Sequence, residues 1–249
     1  MAENKYSRVL LKISGETLKG KQEHGYDAEA VKGVVATIKR ALDNNVQIAL
    51  VVGAGNIWRG VMGAAGGMDP VTADYMGMLG TVMNALCLSD FFRAAGIDSE
   101  VHCSVGMEPV AKKFDRKAAI QALENGKVVI FAGGTGCPFF TTDTTAALRA
   151  LEMNCQAVLK ATKVDGIYTA DPFKVKDATR FATLSYDEAL TRRLAVMDAA
   201  AFSMCRDRNL PIIVFNFFDP TSLDRVLAGD FSAGTLVASE SALAGGKEN

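Results

Sequence analysis

The chain is 249 residues long, 49% hydrophobic, and carries 27 basic against 28 acidic residues for a net charge of -1. That length supports one large α/β domain or two small ones with a sizeable core, and the charge balance argues against a general nucleic-acid-binding surface. Five cysteines, odd in number and without a CxxC pair, and only two histidines, His24 and His102, argue against a disulfide framework, a zinc centre or a histidine-based triad.

Free cysteines fit a reducing cytoplasm. The N-terminal MAENKYSR lacks the apolar stretch of a signal peptide, and no uncharged apolar run reaches transmembrane length. A cytoplasmic protein with no membrane or nucleic-acid partner is expected.

Residues 8–15 (RVLLKISG) read as a buried strand running into a tight glycine turn. A polar loop over 16–25 follows. Asp27 stands as the cap of a helix to about Asn44, with Val31, Val34, Val35, Ile38, Ala41 and Leu42 as its apolar stripe. Residues 48–56 (IALVVGAGN) repeat the strand-to-glycine pattern, and the glycine-rich 60–68 segment is expected to be mobile. A long helix is predicted over 71–95, ending at Gly96, then a short strand over 99–104. A helix over 115–125 takes Asp115 as cap and Gly126 as stop.

The third copy of the pattern is 128–136 (VVIFAGGTG), which leads into a helix from about Thr142 to Met153. A strand is predicted over 157–161. The turn-rich 164–181 stretch reads as an excursion or hairpin. Helices over 186–193 and 196–208, a strand over 212–215, a helix over 223–228 and a strand over 234–238 complete the order. The terminal SALAGGKEN is expected to fray. Strands alternating with helices predict an α/β fold, a mainly parallel sheet covered on both faces. One domain over 1–249 is expected, with two lobes meeting near residue 150.

In an open α/β sheet, ligands sit just beyond the carboxyl ends of the strands. Glycines there let backbone N–H groups reach phosphate oxygens without a Cβ in the way. Three such loops point to one large phosphate-bearing site built from distant parts of the chain. It is not a P-loop, because GxxxxGK(S/T) is absent, and Gly53-Ala54-Gly55 lacks the third glycine of a dinucleotide fingerprint.

Lys12 lies inside Val-Leu-Leu-Lys-Ile, where an unpaired ammonium is costly to bury. It either snorkels to the strand end or meets a phosphate as a compact point charge. Asp198, in a weakly polar stretch, either orients Lys12 or begins a helix. Arg59 follows the second loop as a planar fork for phosphate or as an exposed loop arginine, and Trp58 reads as packing. Thr141, Thr142 and Asp143 stand where a helix begins, as ordinary caps or as an anion site, and Asp143 there suits holding reacting groups in line or organising the charged lysines. Phe139 and Phe140 there are a staple or the wall of a base pocket. Tyr168 and Asp171 on a turn suit a purine ring and ribose hydroxyls, although turn chemistry also explains Asp165-Gly166 and Asp171-Pro172.

The segments LLKISGE, VVGAGNIWRG, DYMGMLGTVMNAL, GGTGCPFFTTDTTAALRA, KVDGIYTADP and VMDAAAF together resemble the bacterial UMP kinases, a family of the amino acid kinase superfamily. The resemblance runs from about Ser7 to Ala238. It implies a three-layer αβα sandwich, a homohexamer, and Mg2+-dependent transfer of the γ-phosphoryl group from ATP to UMP in pyrimidine nucleotide (CTP) biosynthesis. It also implies an acceptor-side lobe over about 1–150 and an ATP-side lobe over about 151–240.

By the same resemblance, Lys12, Ile13, Ser14 and Gly15 hold the ATP phosphates, and Lys12 stabilises the migrating group. Gly55 and Arg59 are further ATP contacts, with Arg59 among the catalytic set. Thr162, Tyr168 and Asp171 take the adenosine side. Ala54 faces UMP and Asp74 takes its ribose. Thr135, Gly136, Cys137, Pro138, Phe139, Phe140, Thr141 and Thr142 enclose UMP. Asp143 organises the reaction centre and Asp198 partners Lys12. No protein metal ligand is implied.

Many members of the family are activated by GTP and inhibited by UTP. Residues 20–25 (GKQEHG) align with a loop linked to the GTP response, while Ser89 stands where some relatives carry an arginine for GTP, which leaves GTP activation open. Two departures stand out. The family commonly shows GGGN where this chain has GAGN, and TGNPFF where this chain has TGCPFF.

Other readings stay open at this level. A superfamily kinase acting on a carboxylate or carbamate is disfavoured by Asp74 and TGCPFFTTD. A non-catalytic oxo-anion storage module is disfavoured by Lys12, Arg59, Asp143 and Asp198. A nicotinamide dehydrogenase lacks its fingerprint.

Overall fold

Nine strands form one continuous sheet in the order β4-β3-β5-β2-β1-β6-β8-β9-β7. In this computed structural model, residues 4–59 and 66–245 are described. The strands are β1 (Arg8–Ile13), β2 (Gln47–Val52), β3 (Ser99–Cys103), β4 (Lys112–Lys113), β5 (Val128–Ala132), β6 (Val158–Thr162), β7 (Thr183–Ser185), β8 (Ile212–Asn216) and β9 (Gly234–Ala238). All neighbouring pairs are parallel except β8 with β9. The described helices are α1 (Ala28–Asp43), α2 (Pro70–Ala94), α3 (Arg116–Glu124), α4 (Thr142–Glu152), α5 (Tyr186–Thr191), α6 (Ala199–Asp207), α7 (Ser222–Leu227) and α8 (Glu240–Gly245).

Two apolar layers follow from the strand period of two. Val9, Leu11 and Ile13 of β1, with Ile48, Leu50 and Val52 of β2, pack under α1, α2 and α7. Leu10, Ala49, Val51, Val129 and Phe131 face α3, α4, α5 and α6. Central strands buried on both faces have to be continuously apolar, which is why VLL, IALVV and VVIFA read as they do. The result is the expected αβα sandwich.

Local chemistry sets the helix starts. Asp27, Asp69, Asp115, Thr141 and Asp198 each accept a backbone N–H from the first turn of the helix they precede. Pro70 occupies the first turn of α2, where its missing N–H is harmless.

Several elements differ from the sequence reading. The 16–25 loop opens with a 3-10 turn, Gly15–Leu18, because Ser14 Oγ accepts the Glu16 N–H at 3.3 Å. The helix expected over 196–208 begins at Ala199, since Asp198 Oδ1 takes the Ala201 N–H at 2.9 Å. β4 and β7 are too short to show an alternating pattern. The 164–181 stretch is a hairpin-like excursion, with Thr169 N–H donating to Thr179 O and Phe181 N–H to Ile167 O, both at 2.9 Å. Of the terminal segment expected to fray, 241–245 belong to the helix Glu240–Gly245 and 246–249 lie outside the described residues. In the glycine-rich 60–68 stretch, 60–65 likewise lie outside them.

Two contacts in the part of the fold built from residues before 150 lend themselves to mutagenesis. Glu100 in β3 accepts from Lys112 and Lys127, each at 2.8 Å. The hydrogen bonds from Lys112 and then Lys127 pull its carboxyl down to about 2, against a smaller opposing effect of burial. A depressed carboxylate contributes stability above its ordinary pKa and loses it as pH falls through the folded one. The difference in urea unfolding midpoint between the native protein and Glu100→Gln should therefore close as pH falls from 4.5 to about 2.

The second contact is between Ala54, just after β2, and Gly80 in α2, where an added Cβ would stand 2.9 Å from the Ala54 Cβ. Gly80 thus makes room for the methyl group that departs from GGGN. In a double-mutant cycle, Gly80→Ala should be at least about 1 kcal/mol less favourable in the native background than in Ala54→Gly, because overpacking outweighs the helix-propensity gain. Equal effects in both backgrounds would show that the two positions are independent.

Candidate active site

The parallel strands β1, β2, β5 and β6 deliver their carboxyl ends to one edge of the sheet. There Lys12 of β1 lies in register with Lys160 of β6. Lys12 shares the face of Leu10, and Lys160 the face of Val158, so both ammonium groups rise toward α4. Asp143, in the first turn of α4, meets both. Its Oδ1 lies 2.8 Å from Lys12 Nζ and its Oδ2 lies 2.8 Å from Lys160 Nζ. The Lys12 contact is an ion pair by distance without hydrogen-bond alignment, so Oδ1 accepts no hydrogen bond. Lys160 Nζ also donates to Val196 O at 2.6 Å.

Burial by itself would raise the Asp143 pKa. The nearby charges of Lys12 and Lys160, each 2.8 Å from a carboxylate oxygen, outweigh it and hold the carboxyl below its usual range. The triad has one cation in excess and sits at a helix N-terminus, which is a favourable place for phosphate.

Asp198 is placed differently from the expected partnership with Lys12. Its Oδ2 accepts from Thr141 Oγ1 at 2.5 Å and from the Thr144 N–H at 3.2 Å, and the Thr144 hydroxyl lies 2.9 Å from both oxygens. As the cap of α6, Asp198 is held where the α4 hydroxyls reach it first. It joins the starts of α4 and α6, and the lysine belongs to Asp143.

The first two glycine loops pack directly on each other. A Cβ on Gly15 would overlap Gly53 O and stand 2.9 Å from Gly55 N. Gly53 N–H donates to Ile13 O at 3.0 Å. The Ile13 side chain itself lies in the apolar layer on the opposite face, so only its backbone reaches the site edge. Asn84 Nδ2 donates to Gly53 O and to Asn56 Oδ1, both at 2.7 Å, and fixes the second loop from α2. Arg59 pairs with Glu16, which also holds Lys163 at 3.2 Å. Trp58 donates Nε1–H to Ala73 O at 2.9 Å, the expected packing role.

Two cavities flank the triad. One of about 510 Å³ is lined by Lys160, Thr162, Tyr168, Asp171, Arg193 and Val196, among others. Tyr168 donates its hydroxyl to Asp165 Oδ1 at 2.5 Å, and Asp171 Oδ1 accepts the Phe173 N–H at 3.0 Å. The other, of about 140 Å³, is lined by Ala54, Asp74, Thr81, Thr135, Phe140, Thr141 and Thr142 with their neighbours. Asp74 Oδ2 accepts the Phe139 N–H at 2.7 Å and so ties α2 to the 135–142 loop. Gly136 N–H closes a turn onto Gly133 O, and the Thr135 hydroxyl receives the Cys137 N–H at 3.2 Å. Cys137, Pro138 and Phe139 do not line either cavity, and Phe139 is 75% exposed.

Lys160, Glu16, Asn84 and Thr144 take part in this geometry without having been singled out in the sequence. Lys160 had a signal: VLKAT is an apolar strand with one lysine, the same anomaly as VLLKI.

Residues 7–216 match the amino acid kinase family. The chain is similar to the UMP kinase of Bacillus anthracis, at 36% identity and a TM-score of 0.91, covering 94% of this chain and 97% of that one. The UMP kinase of Ureaplasma parvum shares 32% identity at a TM-score of 0.88, over 94% and 99% of the two chains. The uridylate kinase of Archaeoglobus fulgidus shares 26% identity at 0.71, over 92% and 99%. A lysine–aspartate–lysine bridge at the carboxyl edge of a parallel sheet, together with a family match over residues 7–216, leads to one conclusion: the chain belongs to the amino acid kinase family.

Proposed function

We propose that this chain is a UMP kinase, which moves the γ-phosphoryl group of ATP directly to UMP and yields UDP and ADP. The observation that carries this reading is the Lys12–Asp143–Lys160 bridge set between a large cavity and a small one. Phosphoryl transfer asks a protein for positioning and for stabilisation of spread charge, with little covalent work. The similar folds named UMP kinase and uridylate kinase support the choice of acceptor.

In this reading the ~151–240 lobe takes ATP and the ~1–150 lobe takes UMP. Lys12 and Lys160 present fixed cations to the migrating phosphoryl group. The backbone of Ile13, Ser14, Gly15 and Gly55, with Arg59, holds the ATP phosphates, and Thr162, Tyr168 and Asp171 hold its adenosine. Ala54, Asp74 and residues 135–142 take UMP. Asp198 acts through Thr141 and Thr144, by fixing the start of α4. Asp143, with its pKa lowered, is ionised at neutral pH. It is therefore the bridge that positions two cations, whereas a general base works best with a pKa near the working pH.

Magnesium fits as a companion of the nucleotide. Among the described residues no three His, Cys, Asp or Glu side chains converge on one point. An ion carried mainly by the phosphates of its nucleotide is a common arrangement for Mg2+, and it suits a site whose central carboxylate, Asp143, has each oxygen on a lysine ammonium at 2.8 Å. When bound, the ion would neutralise charge on the β- and γ-phosphate oxygens.

A homohexamer belongs to the same proposal. Tyr75, Leu79, Met83 and Leu86 form an exposed apolar stripe along α2, which a second copy would cover. GTP as activator and UTP as inhibitor complete it, although Ser89 offers a GTP phosphate no cation. Among the described residues no helix is long and apolar enough to cross a membrane.

Coupled ADP release with UMP, CMP, dUMP, AMP and acetylglutamate as acceptors tests the reading. UMP should be used far faster than the rest, and activity with acetylglutamate alone would overturn it. Asp143→Asn should lower kcat by roughly two orders of magnitude or more, as loss of preorganised electrostatics does. An unchanged kcat would remove Asp143 from the reaction centre.

A further inference from the structure

Arg149, six residues along α4 from Asp143, is only 4% exposed. Arginine is seldom buried to this extent unless it is paired. Its guanidinium lies 3.7 Å from the centroid of the Phe114 ring and pairs with Glu152. Its Nη2 donates to Ser104 Oγ at 2.8 Å. Ser104 Oγ in turn donates to Gly134 O at 2.7 Å.

A serine hydroxyl has a single proton to give. With Arg149 donating into its lone pair, that proton is directed onto the Gly134 carbonyl, and the two part-buried bonds polarise and strengthen each other. The recipient is the 133–136 turn. Gly133, Gly134 and Gly136 have φ values of 75, 56 and 82, and a Cβ on Gly136 would stand 3.3 Å from Ser104 O. The turn is thus seated on Ser104 from one side. From the other, its Gly133 N–H donates to Thr81 Oγ1 at 2.9 Å. Gly134 and Thr135 line the small cavity.

We propose that Arg149 and Ser104 are positioning residues for the acceptor, a relay that locks the 133–136 turn to the helix carrying Asp143. The proposal rests on the UMP kinase reading for the identity of the acceptor. A buried arginine is a poor source of stability compared with an apolar side chain. What it adds here is direction: one rigid element sets both the reaction-centre carboxylate and the wall of the acceptor cavity. Lysine cannot replace it, because it has neither the planar fork nor the stacking face.

The test uses the full chain with Ser104→Ala and Arg149→Lys, read by steady-state kinetics and by amide hydrogen exchange. Loss of one such bond should raise KM for UMP about tenfold while leaving KM for ATP unchanged. Amides of residues 133–140 should exchange faster, with those of β1 and β2 unchanged. KM values that rise together for both substrates, exchange that rises across the sheet, or no change in 133–140 would each overturn the relay. If the native protein does not phosphorylate UMP, the function reading fails, and the exchange measurement alone then decides the relay.

Discussion

Two lysine ammonium groups at the ends of neighbouring parallel strands repel each other, and the Asp143 carboxylate between them is what lets both remain there. Lys12 and Lys160 are in register, so the sheet itself brings the like charges together. A carboxylate with one oxygen on each lysine removes the repulsion and leaves one net positive charge. Because Asp143 rides on the first turn of α4, the helix start and both strand ends become one electrostatic unit. The rest of the site is arranged around it, with one cavity on the Lys160 side and the other on the Thr142 side.

That unit depends on loops that approach one another more closely than side chains would allow. Gly15 lets the β1 loop lie on Gly53 and Gly55, and Asn84 holds the second loop from below through Gly53 O. The third loop takes its shape from neighbours outside itself, namely Thr81, Ser104 and Asp74. Ala54 shows how a departure from a family pattern is absorbed. The extra methyl group is matched by a missing one at Gly80.

Much of this was legible in the residues. Continuous apolar runs ending in small residues marked β1, β2 and β5 and the edge at which they end, because burial on both faces leaves no room for alternation. Asp27, Asp115 and Thr141 marked helix starts through cap chemistry confined to a few residues. Lys12 stood out as a charge within an apolar strand. β4 and β7 were not legible, since two or three residues show no period. The partner of Lys12 was legible only as one of two acids, Asp143 or Asp198. Asp143 and Asp198 both sit at helix starts, and only the packing of α4 against α6 decides that Asp198 faces Thr141 and Thr144.

The amino-acid sequence by itself determined the order of the longer strands and helices, the three glycine turns, the caps and the family pattern. These rest on periodicity, backbone freedom and cap bonds, each of which acts over a few residues. The tertiary structure alone decided that Lys160 joins Lys12 on Asp143, that Gly80 stands opposite Ala54, and that Arg149 reaches Gly134 through Ser104. These are contacts between residues far apart in the chain, set by strand order and register. A charge or a hydroxyl carries no mark of its partner until the sheet has brought the two together.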